Sequence, residues 1–440
     1  MFRESARAVE LSLPLRVGHG AQFCVTISEM KNLVVVALVA AFAISAAGDE
    51  IADSRKLQQE ALAAFKAKNL PLFLEKIHAA AALRPQHPSM QYQLATAYAL
   101  NGRTDEALDV LERVARMGFN YPAAKDENLT ALRESPRFAA ILERFASNAQ
   151  PTGNPVLAFT LEQSGVIPEG LAWDPGSQRH FVSSVRRRSI YAIDRRGHAT
   201  LFAGGLPLGA FGMKVDPQRH LLWVAAGEIP PGKAAVLKLD LKTGRTLASY
   251  APSDKEKHLF GDLTLAVNGD VFVSDSASPI IFRIADGQLS EFVRGPFVNL
   301  QGLALSAGDS VLYAADYTKG IFEIDTQTRD LHPLPVPADA SLLGVDGIYL
   351  LNRRTLIGVQ NGTNPNRIVR MDLSSYGHRI TEVTTLAANS PLMSDLTLGV
   401  LHDGWLFFNG NGQWDLFDDS LQPSKDAHFE NLRVLKFRVK

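Results

Sequence analysis

Six short stretches of this sequence repeat one pattern, a Gly or Asp followed by apolar residues, and the position just before that anchor carries the chemistry. They are Pro168-Glu169-Gly170-Leu171, Ala210-Phe211-Gly212-Met213, Phe260-Gly261-Asp262-Leu263, Leu300-Gln301-Gly302-Leu303, Val345-Asp346-Gly347-Ile348 and Met393-Ser394-Asp395-Leu396. The position before the anchor therefore holds Glu169, Phe211, Gly261, Gln301, Asp346 and Ser394. Brought to one point, these give two carboxylates, an amide and a hydroxyl. Two carboxylates at close quarters in a partly desolvated space repel each other. A hard divalent cation removes that cost, and calcium accepts oxygen ligands in flexible geometry, so Glu169, Gln301 and Asp346 with waters would form a shell. A cation with open water positions polarises a carbonyl or phosphoryl oxygen and activates water. Ser394 and Asn361, the latter in Gln360-Asn361-Gly362-Thr363-Asn364, are candidates to touch a substrate.

The elements that must bring the six positions together are legible in the same repeat. The anchors at 170, 212, 262, 302, 347 and 395 stand 40 to 50 residues apart. Each anchor run is followed by a second, such as Val271-Phe272-Val273, a third, such as Gly320-Ile321-Phe322-Glu323-Ile324-Asp325, and a shorter fourth. Four strands per unit at this period make a blade, and six blades make a β-propeller whose first strands line a central channel. A solenoid is the structural rival. The last unit lacks an outer strand after Leu432–Phe437, and the run Val156-Leu157-Ala158-Phe159-Thr160 has no other role. That run is expected to complete the last blade and close the ring, leaving no bare sheet edge.

Upstream of the linker Gln150–Pro155 the period changes. Between Ile51 and Asn148 apolar residues recur at three- and four-residue spacing, as in Ala107, Leu108, Leu111 and Ala115, which predicts helices. Pro85, Pro88, Gly102 and Ser135-Pro136 divide them into antiparallel pairs, with Thr104 the expected N-cap of one. Ala95, Tyr98, Gly102, Ala107 and Leu111 stand where a tetratricopeptide repeat interlocks its two helices. The fold class expected is thus an all-β six-bladed propeller preceded by an all-α tetratricopeptide-like domain, with boundaries at 1–47, 48–150 and 151–440. Such helices either offer a surface to a protein partner or pack as a cap on the neighbouring domain.

Residues 1–47 read as a leader. Met30-Lys31-Asn32 precedes an uncharged run, Leu33 to Ile44, and then small residues Ser45-Ala46-Ala47, the pattern of a secretory signal peptide with Met30 as the true start. The apolar run is too short to span a bilayer. The expectation is a periplasmic or secreted protein with no membrane span in the mature chain. With 45 Lys plus Arg against 46 Asp plus Glu, the chain lacks the basic excess of a nucleic-acid binder. Its single cysteine, Cys24, lies in the leader and excludes a disulfide framework or a cysteine-rich metal site. No Gly-x-Ser-x-Gly elbow, phosphate loop or His-Glu-x-x-His is present, so serine-hydrolase, nucleotide and zinc-protease chemistry find no support.

From about residue 156 onward the sequence resembles the senescence marker protein, gluconolactonase and luciferin-regenerating group of six-bladed propellers. The resemblance rests on Pro168-Glu169-Gly170 with Trp173-Asp174, Asn268-Gly269-Asp270-Val271-Phe272-Val273-Ser274-Asp275, Gly302-Leu303-Ala304-Leu305 with Leu312-Tyr313-Ala314-Ala315-Asp316, and Val345-Asp346-Gly347-Ile348. It implies one divalent cation, often calcium, in the channel and hydrolysis of lactones or related esters. The group's glutamate ligand falls on Glu169, its asparagine ligand on Gln301, and its aspartate ligand, also the base, on Asp346. A further asparagine of the group, in the third blade, falls on Gly261. The expected function is an exported metal-dependent hydrolase acting on a small-molecule lactone or ester. The alternative is a non-catalytic scaffold with a vestigial channel site and protein-binding helices.

Overall fold

The computed structural model describes residues 50–163, 165–418 and 420–439. The expected leader, with Met30 and Cys24, lies outside the described residues.

Period-two patterning gives way to six four-stranded antiparallel sheets, each a blade. Blades 1 to 5 start from their innermost strands at Pro168–Asp174, Gly209–Asp216, Phe260–Leu265, Leu300–Leu305 and Val345–Asn352, and each runs outward in chain order. Blade 6 takes Gly399–His402, Trp405–Asn409 and Leu432–Arg438, and its outer strand is the N-terminal Val156–Leu161. Val156 pairs with Lys436 and Leu161 with Leu432, so the ring closes through the first strand of the propeller, as expected from sequence. The propeller is the fold, and the solenoid is set aside.

Burial follows position in the blade. The second strand of blade 2, Leu221–Gly227, is buried throughout because neighbouring blades cover both faces, whereas its outer strand Thr246–Tyr250 is largely exposed. Between blades the cores are aliphatic and aromatic, as where Phe260, Val273 and Phe282 pack against Val236 and Phe211. Asp275 and Asp316, at the ends of second strands, are fully buried and cap backbone amides: Asp275 accepts from Leu259 and Ala277, and Asp316 from Val298, Asn299, Thr318 and Lys319.

The helical region has α1 (50–66), α2 (Leu70–Leu83), α3 (Pro88–Leu100), α4 (Thr104–Arg116) and α5 (Pro136–Asn148). Its core joins Ala95, Ala107 and Leu111 of the repeat pattern with Ala61, Ile77 and Phe138. Gly102, at φ +73°, supplies the left-handed turn between α3 and α4. Thr104 is not the N-cap: Ala107 N–H bonds the Arg103 carbonyl, so Arg103 caps and Thr104 is the first helical residue. The cap lacks a side-chain bond, and Asp105 and Glu106 in the first turn answer the helix dipole instead. No described helix is long and apolar enough to cross a membrane.

These helices pack on the propeller. Arg84 Nη2 donates to Thr318 O at 3.0 Å, Asn120 N to Asn364 O at 3.2 Å and Asn389 Nδ2 to Asn148 O at 2.9 Å. The central pin is Arg367, fully buried on the third strand of blade 5. It donates to Gln360 Oε1 (2.7 Å) on the blade and to Met117 O (2.8 Å) after α4, and lies 4.3 Å from the Phe119 ring. With no carboxylate among these partners, burial pushes its guanidinium down to about 9.

Candidate functional site

Each of the first five innermost strands carries a bulge at the anchor. Pro168 pairs with Ser184 but Leu171 with Val182, so Glu169 and Gly170 together stand opposite one residue. The same shift falls on 211–212, 261–262, 301–302 and 346–347. A bulge re-aims side chains and strengthens local twist, and here it recurs around the channel. Ser183 Oγ accepts Gly170 N–H at 2.7 Å, and Ser274 Oγ accepts Asp262 N–H at 3.2 Å, which takes up amides that the ladder leaves free. The glycine is required sterically. A Cβ at Gly170 would lie 2.2 Å from Phe211 O, and one at Gly302 would lie 2.5 Å from Asp346 O.

Glu169 and Asp346 come together as expected. Blade 6 fixes the Glu169 backbone through Asn409 Nδ2 and Thr397 Oγ1, which donate to Glu169 O at 3.0 and 3.2 Å. Its carboxylate accepts Trp414 Nε1–H at 3.1 Å. Burial and then the charge of Asp346 raise the Glu169 carboxyl well above the ordinary range, against the Trp414 bond. Asp346 is only 5% exposed and accepts Asn361 Nδ2–H at 2.8 Å. Burial pushes it up to about 7, with the Asn361 bond opposing. Both carboxyls therefore resist ionisation, as two carboxylates sharing one buried site do.

Asn361 also donates to Leu396 O at 2.8 Å, which spends both amide hydrogens and leaves its Oδ1 buried without a partner. An acceptor without a donor beside two reluctant carboxylates fits a cation. Gln301 Nε2–H is bound to Asn299 Oδ1, and its Oε1 lies on the Gly261 side, 3.8 Å from where a Cβ would stand there. Among the described residues, no three His, Cys, Asp or Glu side chains gather closely enough to hold a metal by themselves. A cation here would need amide oxygens and water as well, the kind of shell that suits calcium better than zinc.

Ser394 does not join this group. It is exposed, its hydroxyl is turned to Gly410 O at 3.4 Å, and Asp395 enters the site in its place. In blade 6 the innermost strand begins only at Gly399, and the Asp395 carboxylate accepts Trp414 N–H at 2.8 Å. Burial raises the Asp395 carboxyl, and its charge acts on Glu169 and Asp346 in turn. Phe211 packs in the core between blades 2 and 3 and takes no polar part.

In fold the chain is similar to solved six-bladed propellers. They include a luciferin-regenerating enzyme (15% identical, 65% of this chain and 95% of that one, TM-score 0.45) and a gluconolactonase from Xanthomonas campestris (16%, 66% and 99%, 0.44). A third is the calcium-binding protein regucalcin from Agrobacterium tumefaciens (13%, 64% and 96%, 0.47). These neighbours belong to the propeller group that the blade motifs resemble. No family model and no curated protein matches the sequence.

Several site residues escape a reading of the ring position alone. Asp262, 1% exposed, stands at the anchor itself in blade 3, pairs with Lys214 Nζ at 3.2 Å and acts electrostatically on Glu169 and Asp346. The signal was available, because two of the six anchors are Asp where four are Gly. Trp414 and Tyr317 come from loops with no repeat signature. Tyr317 lies over Gly362, where a Cβ would stand 2.6 Å from its hydroxyl. Burial and then the charges of Asp346, Asp395 and Glu169 raise the Tyr317 phenol, so it borders the carboxylates.

Proposed function

We propose that the protein is a metal-dependent hydrolase of the lactone or ester kind, exported to the periplasm or beyond the cell. The observation that carries this reading is the orphaned Asn361 Oδ1 beside Asp346 and Glu169. Glu169, Asp346, Asn361 Oδ1 and Gln301 Oε1 are the oxygens that would hold calcium. The cation, when bound, supplies Lewis-acid polarisation of the scissile carbonyl. The chain's own groups do the rest. Asp346 in its ionised form accepts a proton from the attacking water, and the Asn361 amide fixes the carboxylate that does so. The Trp414 indole holds Glu169 in place. The motifs from Pro168-Glu169-Gly170 to Val345-Asp346-Gly347 supply the substrate class by resemblance, and the leader pattern supplies export.

Metal analysis of the purified protein tests the reading, with about one divalent ion per chain expected and a rise in melting temperature on adding calcium. Absence of both removes it. With metal present, Asp346→Ala should lower lactone turnover by roughly 100-fold or more, the usual contribution of a positioned base.

A further inference from the structure

The helices roof a cavity of about 650 Å³ whose propeller side includes Tyr317 and Asn361, the residues that border the carboxylate site. This volume suits a small organic molecule well beyond the size of water or a bare ion. Its helical side is lined by Arg55 on α1, by Arg84 after α2 and by the first turn of α3, His87 to Met90. No carboxylate lines this cavity.

Three features of that wall favour an anion. Arg84 is half-buried and presents one nitrogen to Thr318 O, which leaves the rest of its donor fork uncommitted by any described contact. Arg55 is near enough to Arg84 for the two like charges, after burial, to push Arg84 downward, with buried Asp316 opposing. The N-terminus of α3 adds the positive end of a helix dipole, with Pro88 at its first position. His87 does not add charge at neutral pH, because burial and then Arg84 lower it to about 4. Its Nδ1 accepts Met90 N–H at 3.4 Å as the helix cap.

We infer that the helical domain is a substrate-reading lid, in which Arg84 and Arg55 hold a carboxylate at one end of a lactone or ester while its carbonyl lies at the Asn361 wall of the cavity, one hydrogen bond away from Asp346. This rests on the hydrolase reading above and names the substrate class for it: an organic acid that also carries a lactone or ester. The arginine fork matches a carboxylate with two parallel N–H···O bonds, and such charge-assisted pairs are the strong ones.

The test compares γ-butyrolactone with its γ-carboxylate in the full chain with calcium, as wild type, Arg84→Gln and Arg55→Gln, with melting temperatures confirming that the variants fold. The carboxylate lactone should be preferred in kcat/KM by roughly 10-fold or more at low salt, mostly through KM. Either substitution should lower kcat/KM for the carboxylate lactone several-fold more than for the neutral one, and added salt should do the same. Equal turnover of the two lactones by wild type, or a preference unchanged in both variants, overturns the lid proposal and leaves the hydrolase standing. If neither lactone is turned over, the hydrolase reading fails, and calorimetric titration with the carboxylate lactone decides the lid. Binding that weakens in Arg84→Gln sustains the anion site, and absence of binding overturns it.

Discussion

Replacing Asp346 by Asn should make the metal-free protein more stable at pH 8, the opposite of what most changes at a buried, hydrogen-bonded residue do. An Asn side chain can still accept the Asn361 Nδ2–H bond, and it removes the charge that burial penalises. The carboxyl rises from 3.8 to about 7 on folding. At about 1.4 kcal/mol per pH unit, the folded state carries about 4 kcal/mol of cost once Asp346 is ionised. The folded pKa lies above the unfolded one, so the folded state holds the proton more tightly. The Asp346 contribution to stability is thus full below about pH 4, is lost as pH rises to about 7, and stays lost beyond. With an unfolding entropy of about 2.1 cal/mol/K per residue, a chain of this length loses about 4 °C in melting temperature per 4 kcal/mol. The assay is calorimetry or thermal fluorescence with a chelator at pH 5, 6, 7 and 8. Across that range wild type should lose stability relative to Asp346→Asn. Calcium should restore wild type at pH 8 and leave Asp346→Asn unmoved. Equal melting temperatures for the two proteins at pH 8 in chelator would refute the argument that the buried carboxylate is held at a cost that a cation relieves.

Two further outcomes follow from other parts of the molecule. Arg367→Ala removes the pin between blade 5 and the segment after α4 and strands the Gln360 and Met117 oxygens, so it should cost about 3 kcal/mol or more in denaturant unfolding and speed proteolysis near the linker; an unchanged midpoint would count against the pin. His180, 8% exposed and 3.0 Å from His402 across the ring nitrogens, is lowered to about 3 by burial and then by His402 and Lys436. Its neutral form is required by the fold, so stability intact above pH 6.5 should fall by about 4 kcal/mol as pH drops toward 3. His180→Phe should flatten that acid limb in a pH series of melting temperatures.

How much of the site was readable from residues depends on what places each one. Glu169 and Asp346 were legible because they occupy the same step of a repeat whose period announces blades, and a propeller brings equivalent steps to one channel. Ser394 stands apart from the carboxylates and Asp395 stands with them for a single reason: repeat alignment assumes the same innermost strand in every blade, while in blade 6 that strand begins only at Gly399. Asn361 was seen as a residue near the mouth, but its two donated hydrogens and orphaned oxygen depend on Leu396 O, 35 positions away, and on the orientation of Asp346.

The sequence by itself determined the number of blades, the closing strand Val156–Leu161, the helical domain and the carboxylate pair, because these follow from local periodicity and from composition at repeated positions. Only the tertiary structure decided that Arg84 and Arg55 face the same cavity as Asn361 and Tyr317, and that Arg367 fastens the helices to blade 5. Met117 and Arg367 are 250 positions apart, and no pattern in either segment encodes their meeting. It arises from the packing of the helical core against the propeller and from where a buried guanidinium finds its acceptors.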